Sequence, residues 1–109
     1  IEIRLTALEA TALRLLSRVD GGGKIGAEPS MLKLQGSQLV QVQDQLLFEI
    51  AGLYGLPLDA ESRQTPNAPI HRETVDMIGS ALFHHRGYTI AGGASEVQRN
   101  IIAQQVLGL

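Results

Sequence analysis

The sequence contains no cysteine in its 109 residues, so it has no disulfide framework and no thiolate chemistry, and a reducing, cytoplasmic setting is expected. No apolar run approaches the length of a membrane span. Neither sign of charge dominates: nine Lys and Arg stand against eleven Asp and Glu, without a basic stripe or an acidic run, for a formal net charge of -2. A phosphate backbone or an anionic membrane would find nothing to hold, so no nucleic-acid partner is expected. The opening residues, IEIRLTALEA, lack the basic start and apolar stretch of a signal peptide and begin in mid-pattern, as expected of a piece of a longer chain. What remains, 44% hydrophobic and 18% charged, describes one globular domain. A chain of this length hides only about two-thirds of its unfolded surface, enough for a single core but not for a core plus a cofactor cradle. An enzyme built on it needs machinery from elsewhere.

Apolar residues at Ile1, Leu5, Leu8, Ala12, Leu15, Leu16 and Val19 have helical spacing, with Arg4, Arg14 and Arg18 on other faces, and predict a helix over about 1–19. Asp20 and the run Gly21, Gly22, Gly23 should end it, because glycine is costly in a helix and readily supplies a left-handed cap. The string GGGK lacks the preceding strand, the longer glycine spacing and the following Ser or Thr of a phosphate loop, and reads as a linker. Pro29 opens a long second helix over about 29–54, along which Met31, Leu34, Gln38, Leu39, Val42, Leu46, Ile50 and Leu53 recur at three and four. Gly36 inside it costs roughly 1 kcal/mol against Ala, which predicts the close approach of another helix backbone. The set Gln35, Gln38, Gln41, Gln43 and Gln45 marks either a solvated face or a subunit surface.

Residues 55–69, GLPLDAESRQTPNAP, carry three of the four prolines and no sustained period, and read as a surface loop. A third helix over about 70–86 should turn Val75, Ile78, Leu82 and Phe83 inward and end at Gly87. His71, His84 and His85 lack the i, i+4 pairing of a metal site on one helix face, so they read as surface or packing residues and no metal is expected. Ser95, Glu96, Val97, Gln98 has the form of a capping box, in which Ser95 accepts from the Gln98 amide and Gln98 reaches back to the Ser95 amide. The fourth helix, about 95–107, should bury Val97, Ile101, Ile102 and Val106 and end near Leu107 and Gly108. Four amphipathic helices without a strand pair predict an all-α, up-and-down four-helix bundle.

Residues 90–109, IAGGASEVQRNIIAQQVLGL, closely resemble the terminal segment of acyl-CoA dehydrogenases, where a glycine-containing loop leads into a helix reading like SEIQRNIIA followed by VLGL. Residues 29–58, with PSMLKLQGSQL and FEIAGLYGL, resemble the family's preceding long helix and glycine-rich turn; residues 1–20 and 59–86 fit by position and helicity. The resemblance implies the C-terminal helical domain of a flavoenzyme, with an N-terminal helical domain and a middle β domain outside this chain, so the fragment alone is expected to be inactive. It implies that a carboxylate takes the α-proton of an acyl-CoA while the β-hydride passes to FAD, giving a trans-2-enoyl-CoA. FAD would sit between the β domain, the C-terminal domain and a neighbouring subunit of a dimer or tetramer, with an electron-transfer flavoprotein-like acceptor.

By the same resemblance, Gly92 stands where short- and medium-chain members carry the catalytic Glu, so no catalytic residue is identified in this chain. Ala91 replaces a common aromatic residue, and Ala94 a threonine whose hydroxyl commonly meets FAD, while Gly93 and Ser95 keep the pattern. Glu96 stands where members have Gln or Glu close to the cofactor. Gly52 and Leu53 belong to the turn that approaches the neighbouring subunit's FAD, and Glu49 replaces a glutamine there. The resemblance therefore gives Glu49, Gly52, Leu53, Gly93, Ala94 and Glu96 as cofactor-binding positions, and Ala91 and Gly92 as substrate-binding ones. The lost bulk at Ala91 and Gly92 points to a wide site for a branched or polycyclic acyl group.

Read from the residues alone, adjacent glycines before a helix N-terminus let backbone approach a ligand, and the free amides with the helix dipole favour an anionic group. A flexible connector is the plainer reading. Glu96, in the first helical turn, is favoured there by the dipole and reads as an electrostatic or capping residue rather than a substitute base. Four functions stay open: a dehydrogenase whose base sits on an upstream helix, as in the isovaleryl and long-chain branches; a base-less subunit of a heteromeric dehydrogenase, completed by a sister subunit's carboxylate; a flavin monooxygenase on the same fold; and a purely structural helical bundle.

Overall fold

The computed structural model describes residues 1–56, 75 and 77–109. Among these residues the regular elements are helical and no strand occurs. The chain divides into two compact units, one made of Ile1–Leu39 with Tyr88–Leu109 and the other of Val40–Gly87.

The first helix, α1, spans Glu2–Asp20, with Glu2 in its first turn and Arg18 in its last, both signs suiting the helix dipole. It buries none of its residues: Ile3, Leu5, Leu13 and Leu16 are exposed, while Leu8, Ala12 and Leu15 are half-buried. The glycine run ends it as expected, with the Gly21, Gly22 and Gly23 amides donating to the carbonyls of Ser17, Val19 and Arg18 at 3.2, 2.9 and 2.9 Å. The left-handed residue is Gly22, at φ 78, two positions beyond the last helical residue. Glu28 closes the corner that follows, accepting from the Gly26 amide at 2.9 Å and from the Arg18 guanidinium. A hydrogen bond from its own backbone amide, aided by Arg18 and the Gly26 amide, outweighs desolvation and holds the Glu28 carboxyl below its ordinary value.

The second helix, α2, spans Glu28–Ala51. Ser30, Ser37, Asp44 and Ala51 are buried and lie seven residues apart, which is nearly two full turns, so they share one face. Leu39 is buried as well. Of the expected stripe, Leu39 is thus buried and Leu34 half-buried, but Met31, Gln38, Val42, Leu46, Ile50 and Leu53 are exposed. Apart from Leu39, the buried residues of α2 are therefore the small and polar ones. Periodicity locates an apolar face, but whether it is buried depends on what packs against it. The close helix approach expected at Gly36 is also missing among the described residues, since no neighbouring atom lies within 4 Å of where a Cβ would stand.

The α-helical geometry of α2 stops at Ala51, and Gly52–Gly55 continue as a single 3-10 turn, short of the α-helix expected to Tyr54. Residues 57–74 and 76 lie outside the described residues, and with them nearly all of the loop expected over 55–69, His71 and the start of the helix expected from Ile70. Val75 is buried. The third helix, α3, spans Ile78–His84; Ile78 and Leu82 are half-buried, but Phe83, expected inward, is 64% exposed. Gly87 does not end this segment, because a 3-10 stretch carries on through it over His85–Thr89. The left-handed glycines that do break the chain come later, at Gly92 and Gly93. The fourth helix, α4, spans Ser95–Ile102 and widens into a π turn over Ala103–Leu107, closed by Gly108 at φ 70 with its amide on the Gln104 carbonyl. Ile101 and Ile102 are half-buried, whereas Val97 and Val106, expected in the core, are exposed.

Candidate functional site

The loop between Thr89 and Ser95 is built almost wholly from backbone. Gly92 and Gly93 take φ values of 70 and 99, a region that side chains rarely enter. The Gly93 amide donates to the Ile90 carbonyl at 3.1 Å, closing a tight turn. Ala94 is the N-cap of α4 and makes no side-chain cap bond, so the first amides of the helix point into the loop without a capping oxygen. Ala91, Gly92 and Gly93 are exposed and Ala94 is half-buried.

The capping box expected of Ser95 and Gln98 does not form. Ser95 is already the first helical residue, and its hydroxyl donates to the Thr89 carbonyl at 3.2 Å rather than accepting from Gln98. The Gln98 side chain donates to the Gly92 carbonyl at 3.1 Å, while the Gln98 amide takes the ordinary helical bond to Ala94 at 3.0 Å. The cause is the loop: its turned backbone offers carbonyls to the helix start, and these claim the polar side chains that a straight entry would leave for capping. Lys33 adds a second donor to the Thr89 carbonyl at 3.3 Å.

Ala91, Gly92, Gly93, Ala94 and Glu96 therefore lie together on one short segment. Glu96 projects from the first turn of α4 with its side chain 78% exposed and pairs at 3.5 Å with Arg99 one turn on, an ion pair of little energetic weight. Glu49, Gly52 and Leu53 form a second group at the end of α2. Glu49 accepts from Gln45 at 3.1 Å, Gly52 takes φ 55, and Leu53 is 81% exposed. Among the described residues no neighbouring atom lies within 4 Å of where a Cβ would stand on Gly52 or Gly92, which suits the approach of another molecule to the backbone.

One pairing escaped the sequence reading. Asp44, buried on α2, accepts from His85 Nδ1 at 2.7 Å, and the Gln41 side chain donates to the His85 carbonyl at 3.4 Å. Arg86 reaches Gln45 at 3.5 Å, so part of the glutamine set is spent within the chain. These bonds tie the 3-10 stretch after α3 to α2. The heptad spacing of Ser30, Ser37, Asp44 and Ala51 signals a shared face for Asp44, but nothing in the sequence points from it to His85. Among the described residues, open grooves of about 340 and 360 Å³ are bordered by Leu8 and Leu39 and by Met31 and Ile102, and neither is lined by a candidate site residue. Among the described residues no group of three His, Asp or Glu is placed to hold a metal ion, and no helix is long and apolar enough to cross a membrane.

No curated protein and no solved structure was found to match the chain. A family model does: the acyl-CoA dehydrogenase C-terminal domain matches residues 1–107. That match runs through the all-helical elements and includes the glycine loop and α4. By this match over nearly its whole length, the chain belongs to the acyl-CoA dehydrogenase family and carries that family's C-terminal helical domain.

Proposed function

We propose that the chain is the C-terminal part of an FAD-dependent dehydrogenase that converts an acyl-CoA thioester to a trans-2-enoyl-CoA, with its N-terminal helical and middle β domains outside the 109 residues. The supporting observation is the backbone-built loop at Gly92 and Gly93 leading into α4, in a chain of this family. The residues fit the cofactor: the open approach at Gly92 and the uncapped first amides of α4 suit a close anionic or polarisable group. Gly93, Ala94 and Glu96 would border FAD on this segment, and Glu49, Gly52 and Leu53 would border the FAD of a neighbouring subunit. When bound, FAD supplies the acceptor for the β-hydride. Ala91 and Gly92 would flank the thioester and leave space for a branched or polycyclic acyl group. Dimer or tetramer assembly, an electron-transfer flavoprotein-like acceptor and a cytoplasmic location belong to the same proposal.

The α-proton needs a base that Gly92 cannot be. It comes either from an upstream helix of the same protein or from a sister subunit. Purification of the whole protein separates these: bound flavin with acyl-CoA-dependent dye reduction places the base within it, and bound flavin without turnover, restored by co-expression with a sister subunit, places the base there. Absence of flavin from the folded whole protein would overturn the proposal. Position 92 gives a second test. The open space there admits a side chain, but a non-glycine residue in the left-handed region costs about 1–2 kcal/mol. Gly92→Glu should therefore increase dye reduction in a base-less protein while lowering its stability, both measurable on the flavin-loaded variant. An unchanged rate would mean that the pocket is used differently.

A further inference from the structure

The carbonyl of Gly92 and the amide of Gly93 belong to one planar peptide unit, which moves as a rigid plate. Both ends of that plate are held. The Gln98 side-chain amide donates to the Gly92 carbonyl at 3.1 Å, and the Gly93 amide donates to the Ile90 carbonyl at 3.1 Å. The same Gln98 nitrogen lies 2.5 Å from where a Cβ on Gly93 would stand, so it fills the space that the missing side chain leaves. Two consecutive glycines are the residues least able to keep one conformation unaided, since they lose the most backbone freedom on ordering. The loop also has no side chain at 92 or 93 with which to define its own shape. Its start is fixed separately, by Ser95 and Lys33 on the Thr89 carbonyl.

We propose that Gln98 is the positioning residue of this loop: by clamping the Gly92–Gly93 peptide it presets the backbone that meets the flavin and the acyl thioester. This rests on the function proposed above, and concerns how a loop without a catalytic side chain is kept in one shape. Gln98 touches neither reactant and acts through the peptide it holds. A preset loop lowers the ordering cost of binding, so the benefit falls on ligand affinity rather than on the chemical step.

The test uses the flavin-loaded whole protein with Gln98→Met and Gln98→Glu, two variants of similar shape that cannot donate to the Gly92 carbonyl. Hydrogen exchange at the Gly93 amide should quicken about fivefold, the equivalent of one net hydrogen bond of about 1 kcal/mol, with the helical amides of residues 99–102 unchanged. The FAD dissociation constant and the KM for acyl-CoA should rise by a similar factor while kcat holds. Unchanged Gly93 exchange in both variants would overturn the clamp. Faster exchange with unaltered FAD affinity and KM would leave the clamp standing and overturn the placement of this loop at the flavin, which would separate the failure of the functional reading from that of the positioning role.

Discussion

At the end of α2, the turn Gly52–Gly55 is shaped by packing: a Cβ on buried Gly55 would come within 3.2 and 3.3 Å of two Phe48 ring carbons and 3.4 Å of the Ala51 methyl. Ahead of α4, the loop around Gly92 and Gly93 is shaped by donors, with Gln98 on one carbonyl and Ser95 and Lys33 on another. Both use left-handed glycines, at Gly52 in the first case and at Gly92 and Gly93 in the second. A turn held by apolar contact tolerates changes in its polar surroundings and leaves Leu53 free to project outward. A loop held by single hydrogen bonds keeps its backbone accessible, but depends on a few side chains, two from the first turn of α4 and one from α2.

The largest effect that should follow from this contrast is at Gly93. Gly93→Ala places a methyl in the left-handed region and displaces the Gln98 side chain, so strain of about 1–2 kcal/mol adds to a lost hydrogen bond of about 1 kcal/mol. Chemical denaturation should show a loss of about 2–3 kcal/mol. Gly52→Ala meets the strain with no neighbour among the described residues, and should cost only about 1–2 kcal/mol by the same measurement. Equal losses at the two sites would erase the distinction between the turns.

Ser95→Ala should cost about 0.5 kcal/mol, the low end for a partly exposed hydrogen bond, because Lys33 still serves the Thr89 carbonyl. A loss nearer 2 kcal/mol, within the range of a strong N-cap, would show that Ser95 caps α4 after all. The smallest effect is one of acid. The Glu28 carboxyl is held below its unfolded value near 4.5, so its contribution is present above that pH and fades as pH falls through the lower, folded value. Protection of the Gly26 amide against hydrogen exchange, relative to its intrinsic rate at each pH, should fall as pH drops through the lowered Glu28 value, whereas among the described residues neither glycine turn has a carboxylate bond to its own backbone that acid would remove. Glu28→Gln should abolish that pH dependence.

Helix existence was legible because a 3.6-residue period and glycine stops are local properties: the run Gly21 to Gly23 ends α1, and Gly108 closes the last turn. The final twenty residues carried the family resemblance because their order is dense and specific. The candidate capping box was misleading for an instructive reason. Ser and Gln at that spacing serve a straight helix entry, but Gly92 and Gly93 fold the preceding backbone so that its carbonyls take both side chains. The Asp44–His85 bond was illegible because its partners are 41 positions apart, and nothing local to either residue announces the other.

By itself, the sequence determined that the chain is helical, that glycine breaks end its first and last helices, and to which family it belongs. It also showed that no carboxylate occupies position 92. Only the tertiary structure decided that α2 buries Ser30, Ser37, Asp44 and Ala51 beside Leu39 while Met31, Val42, Leu46 and Ile50 stay exposed, and that Gln98 holds a peptide rather than capping a helix. The physical reason is that helix propensity and glycine's conformational freedom act within a few residues, whereas burial and hydrogen-bond choice depend on which groups the folded chain brings within reach.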